Sequence, residues 1–230
     1  MTGPAQRGPR RSDALSRERI VAATIEILDT AGEGGLTVRA VTSHLATGRG
    51  AIYHHVSSRD DLLVAAADSV IGRVLADVGH DEDPPLPAIR ALSLGIFEAI
   101  DAHPWVGAQL SREPLQPAVL RIWSGIGTQL QRLGVSGTQR ADAGAALVNY
   151  VLGAAAQFAA GARRATDDAA RQDFLDTLAA QWTQQDGDPL VQEAAASLRE
   201  HDDREQFLAG VDIFLAGVTS PERNGRAAQG

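Results

Sequence analysis

Cysteine is absent from the 230 residues. Disulfides and thiolate metal sites are therefore excluded, and the chain fits a reducing cytoplasm. Lysine is absent too, so every permanent positive charge sits on arginine. No segment has the pattern of a signal peptide: the first twenty residues carry arginine but no apolar run of the required length. The most apolar stretch, residues 141–162, is mostly Ala and Gly and is interrupted by Asp142, Asn149 and Gln157. That composition predicts a buried helix and no membrane partner. Alternating β-branched runs and internal repeats are also missing, so nothing predicts a strand. The length is enough to bury a core without staples.

The charge that is present is unevenly placed. Net charge is −8. Residues 1–60 nevertheless hold eight arginines against six carboxylates, a net +2, whereas the remainder holds 13 against 23, a net −10. A basic head on an acidic body lets one end approach phosphate while the rest is repelled.

Gly, Pro and Asp clusters punctuate the sequence at helical intervals and predict an all-α protein. The first helix is expected over 16–31, ended by Gly32, Gly34 and Gly35. The second starts at Thr37 as its N-cap and ends near Leu45. A three-residue turn, Ala46-Thr47-Gly48, leads to a short third helix over 49–55. Ser58-Arg59-Asp60-Asp61 is a capping-box pattern opening a fourth helix to about 78. Further helices are expected over 88–102, 105–110, 115–133, 138–164, 168–185, 189–200 and 202–218. Residues 1–12 are expected to be a disordered arm, 13–60 a three-helix domain, 61–218 a second helical domain and 219–230 a disordered tail.

The second and third helices with their short turn make a helix-turn-helix, locked by Val38, Val41, Leu45, Ile52 and Val56. The exposed side of the third helix is then free for a major groove. In order, residues 15–63 resemble the DNA-binding domain of the tetracycline-repressor (TetR) family. The resemblance is carried by the Gly-Gly-Leu-Thr link, the Leu-Ala-x-Gly turn, the Ile-Tyr-x-His-Val core and the Ser-x-x-Asp-Leu-Leu start of the next helix. It implies that Thr37 and Arg39 meet phosphate, Arg39 also a base. It implies that Arg49, Gly50 and Ala51 read base edges, that Tyr53 and His55 touch the backbone, and that Arg59 meets phosphate. Arginine suits guanine O6 and N7, and threonine hydroxyls suit phosphate oxygens. Gly50 and His54 depart from what many relatives carry, which leaves the operator sequence open. Adjacent His54 and His55 point about 100° apart on a helix and make a poor metal pair; no metal or other cofactor is expected.

The second domain also resembles that family, more loosely, through Ala102-His103-Pro104-Trp105, Arg112-Glu113-Pro114, Tyr150-Val151-Leu152-Gly153 and the segment 207–212. The resemblance implies a homodimer built on the long Ala/Gly-rich helix and the last helix, with Leu147, Tyr150, Phe207, Val211 and Phe214 at the interface. Burial of that stripe inside one subunit is the competing reading. A pocket for a small apolar or amphipathic effector is expected among Phe97, Trp105, Trp123 and Phe158, with Gln109, Asn149 and Gln157 as isolated polar groups. In tetracycline-binding relatives a Mg²⁺-linked histidine falls near the position of Gln109, which argues against a tetracycline–Mg²⁺ ligand. No nucleophile elbow, phosphate loop or paired ligand motif points to an enzyme. The expectation is a cytoplasmic, ligand-responsive regulator of transcription on double-stranded DNA, a repressor in preference to an activator.

Overall fold

The computed structural model describes residues 15–78, 83–113, 115–162, 168–185, 187–199 and 202–220. The expected arm at 1–12 and the tail beyond 220 lie outside them, as do the last two positions of the expected 138–164 helix. Among the described residues there are eleven α-helices and no strand. By contact the chain divides into two compact units, Met1–Ser69 and Val70–Gly230. The division falls inside one continuous helix.

The first unit holds α1 (Arg17–Gly35), α2 (Val38–His44), α3 (Arg49–Tyr53) and the start of α4 (Arg59–Asp77). Ser16 caps α1 by accepting from the Arg19 amide at 3.3 Å. The helix runs four residues past its expected end, but Gly32 bends it with φ 64° and ψ −174°, a conformation glycine adopts without a Cβ penalty. Thr37 caps α2, accepting from the Ala40 amide at 3.0 Å. The end of α2 is a Schellman closure: Thr47 N–H donates to Thr42 O and Ala46 N–H to Ser43 O. Ala46 stands at φ 48°, where glycine is usual. Ser58 accepts from the Asp61 amide at 3.0 Å, as its Ser-x-x-Asp pattern predicts. The Asp61 carboxylate in turn accepts from the Ser57 amide. Ile20, Leu28, Leu36, Val41, Ile52, Leu62 and Leu63 form the core of this unit.

The second unit holds the rest of α4 with α5 (Pro85–Ala102), α6 (Pro104–Arg112), α7 (Pro117–Arg132), α8 (Gly137–Ala162), α9 (Asp168–Gln185), α10 (Pro189–Arg199) and α11 (Asp203–Thr219). Proline opens α5, α6 and α7 at the first helical position, where no amide is needed. Gly134, at φ 82°, closes α7. Thr219, expected in the tail, is the last residue of α11. Helix α5 packs against α6, α7, α8 and α11, and α9 packs against α10. Ile89, Leu92, Ile96, Phe97 and Ile100 of α5 are buried there. Residues 137–160 of α8 are long and apolar enough to cross a bilayer by length and composition, with mean hydropathy 1.3. Leu147, Val148, Val151, Ala155 and Ala159 of that stretch are buried within the chain, as in the core helix of a globular domain.

Candidate nucleic-acid interface

Helix α3 is five residues long and is held by one apolar turn. Ile52 and Val56 are buried, and they fix which side faces out. Arg49, Gly50, Ala51, Tyr53 and His54 are exposed around them, with Thr37 and Arg39 exposed at the start of α2. Tyr53 is 53% exposed, so its ring does not fill the gap between helices. A Cβ added at Gly50 would meet nothing within 4 Å; its small size serves no packing inside the unit. Thr37 Oγ1 accepts its capping bond, which leaves the hydroxyl hydrogen to donate outward. The exposed set therefore offers two guanidinium forks, a hydroxyl, a phenol and an imidazole next to two small residues. That is a donor-rich surface suited to phosphate oxygens and base edges.

Two further basic residues have partners inside the unit. Arg59 is committed inside the unit. Its Nε donates to Leu36 O at 3.0 Å and its Nη2 to Glu33 O at 2.6 Å. These are the carbonyls at the end of α1, so Arg59 has a helix-capping role inside the unit besides the phosphate contact expected of it. His44 Nε2 lies 3.0 Å from a Glu26 carboxylate oxygen, tying α2 to α1. His54 and His55 meet edge to face with ring centres 5.6 Å apart, and His55 is half-buried. Among the described residues no cluster of three His, Asp or Glu groups is placed to hold a metal.

In the second unit the expected effector residues scatter. Phe97 stacks on Phe207 at 4.7 Å and meets Phe158 edge-on at 5.9 Å. These three rings pack on one another. Trp105 is buried beside His103, and Gln109 is buried with its Oε1 accepting from Arg112. Gln116, which the sequence did not single out, is buried too, its amide donating to Gln109 O. Trp123 lies against Gly144 of α8. Asn149 is exposed on α8 in the single chain. Gln157 and Phe158 border a cavity of roughly 130 Å³ with Arg171, too small for a drug-sized molecule. There Arg171 is held by Asp203 at 2.8 Å, and that hydrogen bond raises its pKa further.

The expected dimer residues divide in two. Leu147, Phe207 and Val211 are 0% exposed in the single chain, which matches the competing reading of burial inside one subunit; Phe207 packs on Phe97 of α5 and Tyr150 of α8. Tyr150 is half-buried, stacked on Phe207, its hydroxyl donating to Phe207 O at 3.0 Å. Phe214 is half-buried and borders an open cleft between α8 and α11 with Ala143, Ala146, Ile213 and Gly217. Ile213, 75% exposed, was missed by the sequence reading. It lies just beside the apolar stripe of α11, and that neighbourhood was the available signal.

Comparison with known proteins agrees with the head. Residues 20–66 match the family described as bacterial regulatory proteins, tetR family. The transcriptional regulator SCO7222 of Streptomyces coelicolor, a TetR, is 44% identical. The match covers 90% of this chain and 98% of that one, with a TM-score of 0.80. An HTH-type transcriptional regulator of Saccharopolyspora erythraea is 33% identical over 63% of this chain and 61% of its own length. The HTH-type transcriptional repressor DrrR1 of Streptomyces coeruleorubidus is 28% identical over 65% and 55%. The chain thus spans less than two thirds of the length of these last two relatives.

Proposed function

Because this chain belongs to the tetR family of bacterial regulatory proteins, we propose that it is a cytoplasmic repressor that binds a near-palindromic operator as a homodimer and releases it when a small molecule binds. The observation that carries the reading is the exposed face of α2 and α3. Arg39, Arg49, Gly50, Ala51, Tyr53 and His54 stand outward while Ile52 is fully buried behind them. Exposed arginines alone are ordinary surface, and it is the 53% exposed Tyr53 beside them that supports a binding face.

Two symmetric heads require two symmetric half-sites, so recognition helices about 34–36 Å apart are expected, one turn of DNA. The outward Ile213, Phe214 and Gly217 of α11, beside Ala143 and Ala146 of α8, supply the apolar surface for a second copy. Repression is favoured because a dimer covering a promoter blocks polymerase without a further surface, and because one relative is named a repressor. Helix α4 is the element through which a ligand acts, since it is continuous from one unit into the other. A ligand shifts the equilibrium only by its differential affinity for the two states, and DNA then weakens the ligand by the same factor.

The test is enrichment of random duplexes on the purified protein. An inverted-repeat consensus with half-sites about 10 bp apart is the expected result. Enrichment of no sequence, or of a single unpaired half-site, would overturn the reading.

A further inference from the structure

Another cavity of the second unit lies apart from the aromatic side chains. It is an open cleft of roughly 630 Å³ between the first half of α5 and the last half of α11. Its size falls within the range of small-molecule sites. Leu86 and Leu94 of α5 and Leu215 of α11 wall it, and Ala91 and Ala216 face it with side chains too short to fill it. Along α5 the lining residues recur at 86, 87, 90, 91 and 94; along α11 at 212, 215, 216 and 219. Each set is one helix face, so the cleft is a property of two rigid elements and not of a loop.

One polar pair breaks the apolar lining. Arg90 donates through Nε to Asp212 Oδ1 at 3.1 Å, and the pair joins α5 to α11. The two Nη groups of Arg90 have no partner among the described residues. The carboxylate of Asp212 therefore orients the guanidinium, and the unspent end of its fork remains available. A guanidinium end with two parallel donors matches an oxyanion. We propose that this α5–α11 cleft binds an amphipathic acid: an apolar body between the leucines, its carboxylate or sulfonate on the Nη groups of Arg90.

The proposal rests on the regulator reading only for its consequence. Asp212, Leu215, Ala216 and Thr219 line this cleft, whereas Ile213, Phe214 and Gly217 lie on the neighbouring side of α11. An acid wedged against α11 reaches the surface assigned to the second copy, and acts on the dimer from there.

Two fluorescent probes test the site: anilinonaphthalenesulfonate, and N-phenylnaphthylamine, its neutral counterpart without the sulfonate. Ala91→Trp and Ala216→Trp fill the cleft from opposite walls, and both alanines are exposed, so each variant keeps the fold. Far-UV circular dichroism checks this. Saturable binding of the sulfonate to wild type, weakened at least tenfold by either tryptophan, is the expected result. Arg90→Gln should weaken the sulfonate roughly tenfold or more and leave the neutral probe within about twofold. Probe affinity unchanged in both tryptophan variants overturns the site, and equal loss of both probes in Arg90→Gln overturns the acid-binding role. Duplex enrichment and probe titration on the wild-type protein separate the two readings. Failure of the cleft leaves DNA binding intact, and failure of DNA binding leaves probe binding intact.

Discussion

Arg59 Nε donates to the carbonyl of Leu36 at 3.0 Å, joining the start of α4 to the loop that follows α1, 23 residues earlier in the chain. With Nη2 on Glu33 O, one side chain satisfies two carbonyls at a bent helix end. Hydrogen bonds to a charged donor contribute about 1.5–3 kcal/mol when buried. The side chain is 40% exposed, so about 1 kcal/mol is expected here. Arg59→Met should lower the stability of the first unit by that amount in urea titration. It should leave the salt dependence of duplex binding unchanged, whereas Arg39→Ala should reduce the salt slope by about one. A reduced slope for Arg59→Met would show that it meets phosphate as well as capping α1.

Arg49→Ala should cost about 1–3 kcal/mol of operator affinity and relax preference at one position in each half-site. Tyr53→Phe should weaken all duplexes alike, because a phenol on the backbone carries no base information. Both residues are exposed, so neither substitution should move the thermal midpoint. Unchanged affinity and preference in Arg49→Ala would mean that α3 is not the reading helix.

A Cβ at Gly210 would overlap the Tyr150 hydroxyl. The absence of a side chain is what lets the phenol cross α11 to reach Phe207 O. Gly210→Ala should destabilise the second unit by about 1–3 kcal/mol through overpacking. In combination with Tyr150→Leu the two losses should sum to less than their parts, since the second change removes what the first collides with. Strict additivity in denaturation would contradict this contact.

Ile213→Asp should dissociate the proposed dimer without unfolding the chain, because the side chain stands in solvent in the single subunit. Phe207→Asp should unfold the chain instead, because an unpaired carboxylate would replace a fully buried ring. Sedimentation and circular dichroism distinguish the two. A dimer that survives Ile213→Asp and Phe214→Asp together would place the interface elsewhere.

Ala46 occupies the left-handed region at φ 48°, at a cost of about 1–2 kcal/mol for a residue with a Cβ. Ala46→Gly should raise stability by about 0.5–1 kcal/mol, the strain relieved exceeding the entropy lost. A lowered thermal midpoint would show the turn to be unstrained.

Helix number and most boundaries were legible because their causes are local. Ser58, Pro104 and Gly134 each announce a start or stop within a few residues of where it occurs. The inward faces of the first unit followed from spacing for the same reason. What was not legible depends on partners distant in sequence. An arginine that caps a helix and one that meets phosphate look alike when the capped carbonyls lie 23 and 26 residues away. Periodicity shows that α11 has a wide apolar stripe, but not that Phe207 and Val211 are buried in their own subunit while Ile213 faces out. Aromatic residues on neighbouring helices suit a cavity or a stack equally well. Only the ring distances of Phe97, Phe158 and Phe207 decide for the stack. Arg90 was overlooked because a lone arginine on an apolar helix reads as a solvated charge until Asp212, 122 positions later, is seen beside it.

That separation bears on the order in which the chain acquires its structure during synthesis. The first unit lies within Met1–Ser69, so its residues are synthesised while most of the chain is still untranslated. The α5 surface that receives Phe207 and Asp212 must wait, uncovered, until α11 emerges more than a hundred residues afterwards. Contacts of such high sequence separation form late and slowly. The helix-turn-helix residues thus leave the ribosome well ahead of the last helix of the body. A nascent chain stalled before α11 would expose Phe97, which Phe207 covers in the finished chain, to chaperones and proteases.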